Sequence, residues 1–219
     1  MKTIKVWDLF VRVFHWSLVA AVITQLATAE EFKTLHARVG YGIIVLLILR
    51  IAWGFAGARH ARFADFIYPP AEIFAYLKGL LQRRPRHYVG HNPAGGAMVC
   101  ALLLCLSLTT LTGLLTYGAE GKGPLAFQNM NLATRAWADA DNHDEEDRRG
   151  FHDQERGLQG PGGMDGARGK AHFWKEIHET LVNIIIVLAS LHICGVIASS
   201  YLHKENLILA MITGTKKTE

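Results

Sequence analysis

Four histidines, His15, His36, His178 and His192, lie inside or at the ends of long apolar runs. Neutral imidazole is a common metal ligand, and an ionisable side chain within a membrane span is costly enough to mark function. His178 and His192 share one run and stand 14 residues apart. Fourteen steps of about 100° come to about 1400°, roughly 40° short of four turns. Both imidazoles therefore point to nearly the same helix face, about 21 Å apart along the axis.

The runs that must position them cover about residues 11–29, 39–56, 94–117 and 180–202. Only Arg50 interrupts the second, and Ala94 to Ala119 carries no charge at all. At 1.5 Å per residue each run approaches the thickness of a hydrocarbon core of about 30 Å. The fold class this predicts is all-α: an integral membrane four-helix bundle with a long loop, about 118–174, between the third and fourth helices. Charged residues make up 19% of the 219, against about 25% in soluble domains. A soluble enzyme, a disordered chain, a disulfide scaffold and a nucleic-acid binder are excluded. Lys2, Lys5, Arg12 and Ala27-Thr28-Ala29 would suit a cleaved signal, but His15 and Trp16 break its apolar centre, so the first run is read as an anchor.

With four spans, residues 1–12, 57–92 and 203–219 share one side and carry 12 basic and 5 acidic residues. Residues 30–38 and 118–179 carry 10 basic and 14 acidic ones. The basic side is cytoplasmic, so both termini are expected in the cytoplasm and the long loop in the periplasm. That topology puts His15 level with His192 and His36 level with His178. Two imidazoles from different helices at each of two levels suit two six-coordinate haems stacked across a bilayer. Zinc or copper would want further ligands, and no Cys, Asp or Glu lies at the level of His15 and His192. No Cys-x-x-Cys-His occurs, so covalent c-type attachment is excluded, and Cys100, Cys105 and Cys194 read as small apolar residues. Gly40, Gly42, Gly113 and Gly195 could let a macrocycle approach the backbone, or serve helix packing. Arg12, Arg38 and Arg50 could pair haem propionates; for Arg12 and Arg38 a lipid headgroup is an equal alternative. Ala71 to Gln82 is expected to be a short amphipathic linker helix, followed by Arg83, Arg84 and Arg86.

Several pieces are similar to one family. They are Val6-Trp7-Asp8, Arg12-Val13-Phe14-His15-Trp16, Leu35-His36-Ala37-Arg38-Val39-Gly40-Tyr41-Gly42, Arg50-Ile51-Ala52-Trp53-Gly54, Arg59-His60-Ala61-Arg62-Phe63, Ile177-His178-Glu179, Leu191-His192 and His203-Lys204-Glu205-Asn206-Leu207. The chain resembles the bacterial di-haem cytochrome b561 superfamily, which includes the b-type subunit of membrane nickel–iron hydrogenases. The resemblance covers about residues 4–117 and 172–217. It implies a single membrane cytochrome b domain over 1–219 in the bacterial inner membrane. It also implies two haem b groups with two histidine ligands each, His15 with His192 on the cytoplasmic side and His36 with His178 on the periplasmic side. Electrons would pass between the quinone pool and a periplasmic redox partner, often a c-type cytochrome. Two rivals are an oxidoreductase acting directly on a small oxidant such as superoxide and a cofactor-free histidine relay. The polar stretch from about Gly118 to Lys170, with its acidic run from Asp141 to Asp147, is expected to dock the partner.

Overall fold

The computed structural model describes residues 2–82, 84, 86–126 and 162–218. Among the described residues, four helices are long and apolar enough to cross a membrane: α1 (Leu9–Thr28), α2 (Lys33–Ala56), α4 (Pro93–Ala119) and the stretch Gly169–His203 of α5 (Gly162–His203). A 12-residue helix, α3 (Pro70–Leu81), stands between the second and third, and α6 (Leu207–Thr213) follows the last. The chain is a multi-pass membrane protein. The described residues form two compact units, Met1–Thr110 with Leu181–Glu219, and Leu111–Thr180.

In the first unit all four spans meet at one seam. Ile43 and Leu47 of α2, Cys105 and Leu106 of α4 and Ile185 of α5 are buried together, with Leu18, Ala21 and Val22 of α1 against them. Outside the seam large apolar side chains such as Ile23, Ile48, Leu104 and Val187 are exposed. A narrow packed seam with apolar flanks is what a lipid solvent permits, since lipid tails solvate leucine as well as another helix does. Hydroxyls in the spans turn back on their own helices: Thr109 and Thr116 donate to the carbonyls of Cys105 and Thr112 at 2.8 and 2.9 Å, which satisfies them without water.

Among the described residues, the strands lie at the termini. Strand β1 (Lys2–Lys5) pairs antiparallel with β2 (Thr215–Thr218), Lys2 opposite Thr218 and Lys5 opposite Thr215. Gly214 joins α6 to this ribbon at φ 83°, a left-handed conformation that favours glycine. Its carbonyl accepts from the amides of Val6 and Trp7 at 2.9 and 3.1 Å, and a Cβ there would stand 2.7 Å from the Trp7 carbonyl oxygen. Asp8 then starts α1. Its Oδ1 accepts from the Val11 amide at 2.7 Å, which caps the helix. Its Oδ2 accepts from Trp53 Nε1 at 3.0 Å. The Val6-Trp7-Asp8 and Trp53 pieces of the sequence are thus one joint between β1, α1 and α2.

Beside the ribbon, Glu205 accepts from His87 Nε2 at 2.7 Å and from Lys216 Nζ at 3.3 Å. Burial opposes ionisation of Glu205, but the His87 and Lys216 contacts outweigh it and hold its carboxyl below the usual range. A depressed carboxyl contributes stability above its unfolded pKa of about 4.3 and loses it as pH falls through the folded value. Protection of the 2–5 and 215–218 amides from hydrogen exchange should therefore weaken in acid. Glu205→Gln should weaken it by about 1–3 kcal/mol at neutral pH and flatten the acid dependence. A wild-type acid profile in that variant would exclude Glu205 as the cause.

In the second unit α4 ends at Ala119 and a turn runs on to Ala126. Helix α5 begins at Gly162, well ahead of the apolar run and inside the stretch expected as loop. Its polar first half carries pairs one turn apart, His172 with Glu176 and Lys175 with Glu179, each at 3.6 Å, which favour helix without an apolar face. Residues 127–161, with the acidic run Asp141–Asp147 of the expected docking element, lie outside the described residues.

Candidate cofactor sites

The first unit holds His15, in the second turn of α1, and His192 on α5. Both rings are half-buried, while their neighbours Leu191 and Ile193 are exposed. They lie within electrostatic range of each other. The His15 ring makes an edge contact with Trp16 at 5.2 Å. Its Nδ1 is shielded from solvent and has no hydrogen-bond partner among the described residues. An imidazole nitrogen enclosed in apolar surroundings without a partner is costly, and a metal bond to that ring changes its hydrogen-bonding demand. Gly195, one turn beyond His192, faces open space, as does Gly42.

His36 opens α2 in the same unit. Its Nδ1 meets the Gln25 carbonyl of α1 at 3.2 Å. A carbonyl only accepts, so Nδ1 is the donor in this contact. That is the orientation in which a backbone carbonyl sets up a ligating histidine. A Cβ on Gly40 would approach the Gln25 side chain at 3.2 Å, so this glycine clears Gln25. Arg38 is exposed and lines a surface pocket with Glu30, Glu31 and Lys33.

His178 belongs to the second unit. Thr112 Oγ1 lies 3.3 Å from its Nδ1, and a Cβ on Gly113 would stand 2.9 Å from its Cε1. Gly113 thus makes room for the histidine ring itself.

The arginines differ. Arg12 Nη1 donates to the Ile212 carbonyl at 2.6 Å, at the end of α6, so its described contact is structural. Arg50 is only 3% exposed. Its guanidinium lies 5.5 Å from the Phe63 ring and 5.9 Å from the Phe66 ring, and Nη1 has no hydrogen-bond partner among the described residues. Two glycines seat this aromatic roof. A Cβ on Gly54 would overlap the Phe63 ring, and one on Gly96 would overlap the Phe66 carbonyl. A buried guanidinium capped by rings and short of an acceptor suits a carboxylate.

Sequence reading missed His91. Its ring packs between Trp7 and Phe66, with centroids 4.6 and 4.7 Å away, and its Nδ1 is also buried and unpartnered among the described residues. Burial, then the charges of Arg50, Lys216, His60 and His192, push it down to about 3, so it is neutral. Its only sequence signal is the Gly90-His91-Asn92-Pro93 helix start, where Asn92 Oδ1 accepts from the Gly95 amide at 2.7 Å.

A sequence model of the prokaryotic cytochrome b561 family matches residues 6–214. The chain belongs to the prokaryotic cytochrome b561 family. This cytochrome is similar to a probable Ni/Fe-hydrogenase B-type cytochrome subunit of Bradyrhizobium diazoefficiens, 22% identical over 247 aligned positions covering 98% of this chain and 86% of the relative. Proteins of the same description match from Rhizobium leguminosarum bv. viciae, 27% identical over 56% of this chain and 62% of the relative, and from Rhodobacter capsulatus, 28% over 55% and 57%. No solved structure matches. The cytochrome is a membrane b-type electron-transfer protein that binds haem b. The histidines, the clearance at Gly195 and the acceptor-seeking Arg50 fit that group.

Proposed function

We propose that this cytochrome carries two haem b groups and passes electrons between the quinone pool and a redox partner on the face opposite its termini. The observation that carries the reading is the placement of His178 and His192 on one continuous helix, 14 residues apart, with His15 within electrostatic range of His192. His15 and His192 hold the group nearer the termini; His36 and His178 hold the other. Bound haem supplies one-electron chemistry. The chain's own part is to orient four imidazoles, through contacts such as Gln25 to His36, and to offer Arg50 to a propionate. Arg12, Arg38, Gly40 and Gly195 complete the cofactor-binding set proposed from the sequence, Arg12 with its Ile212 contact retained. The pairing of β1 with β2 supports both termini on one side, and the basic residues on that side support the cytoplasm, hence the inner membrane of a bacterium.

Two partners suit the outer face. A periplasmic c-type cytochrome is the general reading. The hydrogenase subunit names of the relatives favour a second, a membrane nickel–iron hydrogenase. A pyridine haemochrome count near two per chain, with reduction by a short-chain quinol, is expected; a count near one would sink the two-haem reading. Mixing the cytochrome under hydrogen with a hydrogenase, and separately with a reduced c-type cytochrome, tells the partners apart by which one reduces it.

A further inference from the structure

Helix α3 has two apolar stripes. Ile73, Tyr76 and Leu80 form one, and Phe74, Leu77 and Leu81 form the other; in each the members fall within about 60° of one another, and the stripes lie about 100° apart. The first faces protein: Tyr76 is 5% exposed, and its hydroxyl lies 3.4 Å from His203 Nε2. The second is open, with Phe74 70%, Leu77 40% and Leu81 86% exposed. A linker helix resting on protein needs only the first stripe. The second calls for another apolar medium.

Position and charge name that medium. The spans α2 and α4 bracket this segment, ending at Ala56 and starting at Pro93, so α3 stays near the membrane surface. Residues 57–92 carry six Lys or Arg against two Asp or Glu. Lys78, beside the open stripe, and Arg84 and Arg86, just beyond Leu81, are exposed. We propose that Phe74, Leu77 and Leu81 sit in the interfacial zone of the leaflet on the side of the termini, with Lys78, Arg84 and Arg86 on anionic phospholipid headgroups. An in-plane helix with an apolar stripe beside basic residues binds such a surface through both terms.

The test reconstitutes the haem-loaded chain in vesicles of phosphatidylcholine alone or with about a quarter phosphatidylglycerol. An environment-sensitive fluorophore is placed at Phe74→Cys, Leu81→Cys or, on the opposite side of the helix, Glu72→Cys, with Cys100→Ala, Cys105→Ala and Cys194→Ala. Brominated lipid should quench the probes at 74 and 81 but not at 72, more strongly with phosphatidylglycerol. Arg84→Gln with Arg86→Gln should cut the phosphatidylglycerol-dependent part roughly tenfold. Hydrogen exchange across residues 70–82 of the unmodified chain gives an independent reading, with greater protection when phosphatidylglycerol is present. Probes at 74 and 81 as open to a water-soluble quencher as the one at 72 would overturn the proposal. Equal quenching and equal protection in the two vesicles would overturn its anionic part. Leu81→Cys cross-linking between chains would assign the stripe to a second copy instead.

Discussion

Replacing His15 or His192 by alanine should bring the haem count from two per chain to one, and replacing His36 or His178 should remove the other. Each span keeps its length and apolar character in these variants, so membrane insertion should continue. Alanine offers no nitrogen to the metal, so the affected group should be lost from the chain. The measurement is the pyridine haemochrome count together with the low-temperature reduced spectrum, in which two centres give separable bands. His15→Ala and His192→Ala should lose the same band, and His36→Ala and His178→Ala the other. If His15→Ala and His36→Ala lost the same band, the pairing across the two levels would be wrong. A histidine relay without cofactor would give no band to lose.

Gly113→Val should reproduce the loss expected of His178→Ala while every ligand residue is retained. The first added carbon would stand 2.9 Å from the His178 ring, and valine adds two methyls beyond it. A span of close-packed helices cannot relax freely, and overpacking of this kind costs about 1–3 kcal/mol. The cheaper response is rotation of the His178 ring away from α4, which also breaks its contact with Thr112 at 3.3 Å. One centre should therefore be lost or weakened while the His15/His192 band stays unchanged. Gly42→Ala is the control, because a methyl there meets nothing within 4 Å of protein. Full retention of both haems in Gly113→Val would remove the positioning role argued for this glycine.

The sequence was legible where single-residue signals repeat along a helix. The four uncharged or nearly uncharged runs gave the spans to within a few residues in α1, α2 and α4, because lipid demands unbroken apolar length. The four histidines stood out because the only formal charges in those runs are Arg12 and Arg50. The start of α5 was not legible. Its first turns are rich in glycine and charge, and the pairs that follow, such as His172 with Glu176, add little to a hydropathy pattern. The ribbon of the termini was hidden because Lys2-Thr3-Ile4-Lys5 is too short and too charged to read as a strand, and its partner lies at the other end of the chain. His91 and the roof over Arg50 depend on Phe63 meeting Gly54 and Phe66 meeting Gly96, contacts that no local window contains. Arg12 carries a contact that its sequence position does not announce. Its charge at a helix start suggests a propionate or a headgroup, and the structure adds a bond from Nη1 to the Ile212 carbonyl, 200 positions along the chain.

The ribbon bears on how the protein is made. During synthesis β1 emerges first and β2 only after all four spans have left the ribosome. Until then Val6 and Trp7 lack the Gly214 carbonyl, and Arg12 lacks the Ile212 carbonyl. The entry to α1 thus waits for a segment that follows all four spans. A chain interrupted after His203 can insert every span and still leave its first helix unlatched, with a lone lysine-rich strand exposed to proteases. The latch therefore makes the entry to α1 depend on synthesis having reached Gly214 and β2.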